Sequence, residues 1–291
     1  MLVVIVCGIL LLFGIVLSVI WSGERLQPPP IPHTLATANS GSPQRSPRLA
    51  VHTDGVRLFL WWAAVFTAIG TASGLLITGA GGRLIMRLLA AASPEATGGI
   101  TEAQADVGEI TVDGTISYLV FGALPASVLS AALFLLVAPW LPRGRLAGPS
   151  FGALLLVTLA PFLDPLRADN FDFNFVGPGW LAVIAFSLLA LLQGSFLAAF
   201  AGRLSRSLPL VTRERWIGPA APLAPAVVLF PLGIVIAVGA LVAFAIPRAL
   251  PWFLAVRASR QGVITGRILL AVAVVASLPF FLAAVVSIVT R

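Results

Sequence analysis

Long apolar runs alternate with short polar connections along this chain. Seven windows are apolar over roughly the 20 residues a helix needs to cross a bilayer. They cover 2–21, 58–77, 115–140, 148–163, 179–201, 222–246 and 268–289. Gly148-Pro149, Gly177-Pro178 and Gly218-Pro219 each lead into a window. Proline is tolerated in a helix's first turn, so these dipeptides read as start signals. Trp21, Trp140 and Trp180 stand at window ends, Trp61 and Trp62 just inside one, and Trp216 and Trp252 just outside. Amphiphilic rings prefer the headgroup level, which supports these boundaries. The pattern predicts an all-α polytopic membrane protein with about seven transmembrane helices. It divides into an N-terminal anchor over 1–22, a disordered Pro/Ser-rich linker over 23–57 and a six-helix bundle over 58–291. The first window lacks a positive n-region and a small-residue cleavage site, so it reads as a retained anchor. His33 and His52, in the linker, read as solvated.

Composition narrows the class. Only 10% of residues are charged and 59% are hydrophobic, whereas a soluble domain carries about a quarter charged residues. Every cation is arginine, and the net charge is +7. In a soluble protein such an excess points to nucleic acid; in a membrane protein it is the arginine held on the cytoplasmic side. The expected partners are therefore the lipid bilayer and other membrane subunits, not nucleic acid. Cys7 is the only cysteine, so no intramolecular disulfide is possible.

With the N-terminus outside and the sides alternating through seven spans, the C-terminus is expected in the cytoplasm. The cytoplasmic loops then hold eleven arginines against three acids, and the outer loops seven against eight. One connection offends: 247–267 carries Arg248, Arg257, Arg260 and Arg267 and no acid, yet alternation puts it outside. Two acidic loops also fall there. Glu102, Asp106, Glu109 and Asp113 follow i, i+4, i+7, i+11 spacing, one stripe of a helix, although Glu109–Asp113 also suits a short strand. Asp164, Asp169, Asn170, Asp172 and Asn174 crowd the other loop. The expectation is one ion-paired outer cap in which Arg257, Arg260 and Arg267 meet these carboxylates. In that second loop Phe171, Phe173 and Phe175 alternate with Asp172 and Asn174. Extended backbone would place the rings together on the membrane and the polar groups in water. Asn170, Asp172 and Asn174 resemble half of a calcium loop, but Phe175 replaces its glycine and the bidentate glutamate is missing, so no metal site is expected.

Residues 83–91 read as a short interfacial helix with Arg83 and Arg87 snorkelling, and 249–260 as another. None of the seven windows contains Asp, Glu, Arg or His. Ionisable groups at membrane depth mark ion paths, proton relays or catalysis, so this pattern argues against a proton-coupled carrier, an intramembrane haem and an intramembrane metalloprotease. No cofactor motif stands out. At depth, Gln193 is expected to hydrogen-bond a neighbouring helix, and Gly70-x-x-x-Gly74 to allow close helix approach. Pro231 and Pro279 are expected to kink their spans.

The segments RLLAAASPEA, VGEIT and GPGWLAV, within roughly residues 81–185, resemble uncharacterised multi-spanning membrane proteins of GC-rich, actinobacterial-type bacteria. The resemblance implies a bacterial plasma-membrane location and no particular chemistry. The sequence thus favours a non-catalytic accessory or scaffold subunit of a membrane complex. Its alternatives are a passive permease or channel, and an interfacial lipid-headgroup enzyme using Asp164, Asp169 or Asp172.

Overall fold

The computed structural model describes residues 1–29, Leu35, 48–211 and 217–291. It is helical as expected. α1 is Leu2–Ile20, α2 Arg48–Ser73 and α3 Ala80–Ala92, with a π-helical turn, Gly74–Gly79, joining α2 to α3. α4 is Val112–Ser117 and α5 Leu124–Val137, joined by a second π-helical turn, Tyr118–Ala123. Then come α6 (Ala147–Thr158), α7 (Gly179–Ser207), α8 (Phe230–Ala245), α9 (Ala249–Ala258) and α10 (Arg260–Val289). Among the described residues six helical segments are long and apolar enough to cross a membrane, and α8 with α9 forms a bent pair.

Small residues set the packing. A Cβ on Gly70 would lie 2.6 Å from Val128 Cα, and one on Gly74 3.2 Å from Leu124 Cα, so α2 and the first π turn lie directly on antiparallel α5. The Gly70/Gly74 pair therefore acts as expected. A second pair was not anticipated. Gly148 and Gly152 of α6 meet α7 backbone to backbone at Ser195, Gly194 and Leu191. α1 is not a separate anchor: Gly14 rests on Ile77 and Leu76, Trp21 stacks on Phe200 at 5.5 Å, and Glu24 reaches Gly202. The described parts of the expected linker also pack. Leu35 is fully buried, the Gln27 N–H donates to Ser205 Oγ at 3.0 Å, and helix already begins at Arg48. His52 Nδ1 lies 2.6 Å from the Phe244 carbonyl oxygen. The rest of that linker, with His33, lies outside the described residues.

The 222–246 window is not one continuous spanning helix. Prolines 219, 222, 225 and 231 break its first half and the approach to it into four-residue helices at Ile217–Ala220 and Pro225–Val228. Each proline removes a backbone donor. Pro231 consequently sits in the first turn of α8 instead of kinking it. α8 has 16 residues, about 24 Å at 1.5 Å per residue, which is short of the roughly 30 Å hydrocarbon core. Both arms of this hairpin pack on α2: Ala226 and Ile236 against Ala63, and Ala243 against Gly55. The chain enters beside Trp61, whose Nε1–H donates to the Leu208 carbonyl, and turns 96° from α8 into α9.

α10 therefore begins at the end of the bundle that holds Trp140, where Arg267 Nε donates to the Trp140 carbonyl at 3.2 Å. It finishes at the acidic loops, where Arg291 donates to the carbonyls of Ala168 and Asn170 at 2.8 and 3.0 Å. Pro279 lies inside it without interrupting it. Both termini lie at the acidic end of the bundle, whereas seven crossings would separate them. The charges sort sharply as a result. Among the described residues eleven arginines and two acids lie at the Trp140 end, and four arginines and eight acids at the other.

Candidate functional site

The expected ion-paired cap does not form. Arg257 is buried and donates through Nη1 to the carbonyls of Leu135 and Leu136, the latter at 3.1 Å, at the C-terminal end of α5. Its guanidinium lies 5.5 Å from the Trp62 ring and 5.8 Å from Phe253. Arg260 is exposed and Arg267 is held at Trp140. All three lie at the end opposite the acids, because the hairpin returned the chain there.

The acidic loops are tied to each other by Arg167. Its Nη2 donates to Glu102 Oε2 at 2.6 Å, and its Nε lies 3.1 Å from Asp169 and 3.4 Å from Asp164, off line for a hydrogen bond. Glu102 first, then Asp164, hold this guanidinium protonated beyond the ordinary arginine range. Asp172 accepts from the Glu102 N–H at 2.8 Å. Asn170 Oδ1 accepts from the Asp172 N–H at 2.9 Å, and its Nδ2 donates to Asp164 and the Pro165 carbonyl. Asn170 is thus the N-cap of the turn that follows. Asn174, Asp106, Glu109 and Asp113 are exposed and do not join. The expected acidic stripe is absent, since residues 97–111 form turns around an antiparallel bridge from Ile100 to Asp106, and α4 starts only at Val112. The phenylalanines also part company. Phe171–Asn174 is a 3₁₀ turn that buries Phe173 against Leu89, Leu166 and Ala182 while Phe171 stays exposed. No group of three or more His, Cys, Asp or Glu able to hold a metal occurs among the described residues.

Burial raises the Asp172 pKa, outweighing the lowering effect of the Glu102 N–H. A carboxyl raised by folding contributes stability below its unfolded value, about 3.9, and loses it as pH rises through the folded value. Asp172→Asn keeps an acceptor for the Glu102 N–H. Its Tm should match the parent in acid and exceed it at neutral pH, as thermal unfolding at both pH values would read out.

The second polar cluster lies inside the helix bundle. Ser73 and Thr78 hydroxyls donate to Gln193 Oε1 at 2.6 and 2.7 Å, and Gln193 Nε2 donates to Ser127 Oγ at 3.2 Å. Ser127 donates to Thr78 Oγ1 at 3.0 Å, and the Tyr118 hydroxyl to the Thr78 carbonyl at 3.2 Å. Gln193 thus joins α7 to α2, the first π turn and α5, as the expected helix-to-helix bond and beyond it, and Tyr118 brings in the second π turn through the Thr78 carbonyl. π-helical turns frequently mark functional sites, and here two of them face each other.

Arg83 is an ionisable group inside the bundle that lies beyond the apolar windows. It was expected to snorkel, but α2, the π turn and α3 form one long segment that carries it into the bundle, where it is 9% exposed. Nε and Nη2 both donate to Thr115 Oγ1, at 3.2 and 3.0 Å, and the guanidinium sits 5.7 Å from the Tyr118 ring centroid. Arg87, one turn on, is exposed and donates to the Gly108 carbonyl at 2.8 Å. Toward the opposite end, Thr67 Oγ1, Thr71 Oγ1 and Trp62 Nε1 are buried with no hydrogen-bond partner among the described residues. Buried polar atoms are nearly always satisfied, so such atoms call for water or a ligand. From Trp62 to Arg83 is about 31 Å at 1.5 Å per residue, close to the hydrocarbon thickness of about 30 Å. Length and hydropathy had marked these windows as inert; the polar column emerges only when the helices pack. No protein family, curated protein or solved structure matches the chain.

Proposed function

We infer that this chain is a passive facilitator, carrying a small polar or anionic solute across a bacterial plasma membrane along the column from Arg83 through Gln193 to Trp62. The observation that carries this reading is the line of buried polar groups spanning the hydrocarbon thickness, with an arginine inside it. Ionisable groups at that depth are costly and mark substrate or ion pathways. The buried arginines near the two ends, Arg83 and Arg257, contact neutral oxygens and rings and have no acid within ion-pair distance among the described residues, which suits an anion better than a cation. The arginine-rich end is assigned to the cytoplasm by the positive-inside rule, leaving both termini outside.

Stopped-flow light scattering of proteoliposomes carrying a potassium ionophore, so that the cation can follow the anion, and challenged with potassium phosphate, potassium chloride or glycerol tests this. Reswelling should exceed that of protein-free vesicles for at least one solute. Gln193→Leu should reduce it at least about tenfold while costing about 1–3 kcal/mol of stability, at about 0.6 kcal/mol and up to about 1.7 per interhelical bond. No excess permeability for any of the three solutes would sink the reading.

A second reading, an accessory or scaffold subunit, is favoured by α10. Ile268, Leu269, Val272 and Val275 leave it with a long exposed apolar flank suited to another subunit's helix. Stoichiometric co-purification in gentle detergent would support it. Asp164 and Asp169 are engaged by Arg167, and Asp172 by the Glu102 N–H. That arrangement supports a structural role for them over lipid-headgroup chemistry.

A further inference from the structure

We propose that Arg83 is the anchor of a phosphate-binding site at the acidic end of the bundle, filled by a phospholipid headgroup or by free phosphate. A guanidinium offers five N–H donors and two edges that can each hold an oxyanion through two parallel bonds. Thr115 Oγ1 occupies one edge, taking both Nε and Nη2. At the other edge Nη1 has only the thioether of Met86, 3.9 Å away, and sulfur is a weak acceptor. The charge is therefore buried with one fork open and no carboxylate within ion-pair distance among the described residues. Leaving a buried charge uncompensated is strongly unfavourable, and an anion on the open fork removes that cost.

The surroundings fix where the anion enters. Met86, which covers the open edge, is itself exposed, as are Arg87 and Leu88 on α3 and Val112 and Ile116 on α4. The fork thus lies just under the flank between α3 and α4, one turn below Arg87, whose charge adds to the attraction. Tyr118 closes the floor, stacked beneath the guanidinium with its hydroxyl against Gly82. That glycine leaves the space the ring occupies. The acidic residues nearest Thr115 in sequence, Asp113 and Glu109, are exposed and make no ion pair with Arg83. Phosphate fits better than chloride because the planar fork presents two parallel donors, which a single spherical ion does not use.

The site shares Arg83 with the conduction reading, and its test does not depend on flux. Native mass spectrometry of the detergent-purified protein reads retained phospholipid. Thermal unfolding of delipidated protein in sodium phosphate, against sodium chloride at equal ionic strength, reads free phosphate. One arm should respond, with a bound phospholipid or with a saturable rise in Tm beyond that in chloride. The response should vanish in Arg83→Gln and weaken about tenfold or more in Arg83→Lys, which keeps the charge and loses the fork. If Arg83→Gln does not fold, the lysine variant and the wild-type phosphate-against-chloride comparison decide. Silence in both arms, equal shifts in the two salts, or a lysine variant binding like wild type would overturn the site. A phosphate response without solute flux supports the site and removes the conduction reading; flux without any response does the reverse.

Discussion

Replacing Gly194 with leucine should abolish the folded bundle. A Cβ there would strike the Gly148 carbonyl and the Gly152 backbone nitrogen, with Gly152 Cα at 2.8 Å. The obstacles are main chain on both sides, so no side chain can swing away. Inserting atoms into a packed core typically costs about 1–3 kcal/mol even where neighbours can shift. Here α6 and α7 would have to separate along their shared face, at a cost of about 3 kcal/mol or more, a large part of the 5–15 kcal/mol that holds a typical protein folded. Size-exclusion chromatography should show aggregate where the parent gives one symmetric peak. Gly8→Leu is the control. A Cβ on Gly8 meets nothing within 4 Å, so that variant should behave as wild type. Equal behaviour of the two leucine variants would refute the α6–α7 contact.

The side of residue 261 should be opposite to the side of residue 174. Gln261 is exposed near the start of α10, and Asn174 is exposed in the acidic loop. A Cys7→Ser background removes the only native thiol. In intact cells Asn174→Cys should react fully with a membrane-impermeant maleimide. Gln261→Cys should be protected from it and react only with a permeant reagent. Ser259 is a poorer probe, because its hydroxyl caps α10 by accepting from the Gly262 N–H at 3.0 Å, and losing such a cap costs about 1 kcal/mol. If both cysteines face the same side, the re-entrant hairpin is wrong and 222–246 crosses after all. If they face opposite sides with the labels exchanged, the six crossings stand and only the cytoplasmic assignment of the basic end falls.

How far the sequence reaches can be followed through particular residues. Gln193 was legible because an amide in an apolar run has to find a partner on another helix. Gly70 and Gly74 were legible because their spacing puts both on one face. Gly148 and Gly152 have the same spacing but sit behind a Gly-Pro start signal, and their partner, Gly194, is more than forty residues away. Arg83 was misplaced because it lies outside a 20-residue window, whereas the structure runs one helical segment from Arg48 to Ala92 through a π turn. The arginines at 257, 260 and 267 were given the wrong partners by a single error of parity. That error arose where four prolines follow one another too closely for a spanning helix.

The sequence by itself determined that this is a helical membrane protein, where most of its spans begin and end, and that its charge is concentrated in the connections. Those properties depend on the local transfer of about 20 residues from water to lipid, which neighbouring segments barely alter. Only the tertiary structure decided which end of the bundle each loop occupies, which carboxylates Arg167 binds, and that polar groups on three segments meet inside the bundle. Those outcomes depend on contacts between residues far apart in the chain, where one span that fails to cross reverses the side of everything after it.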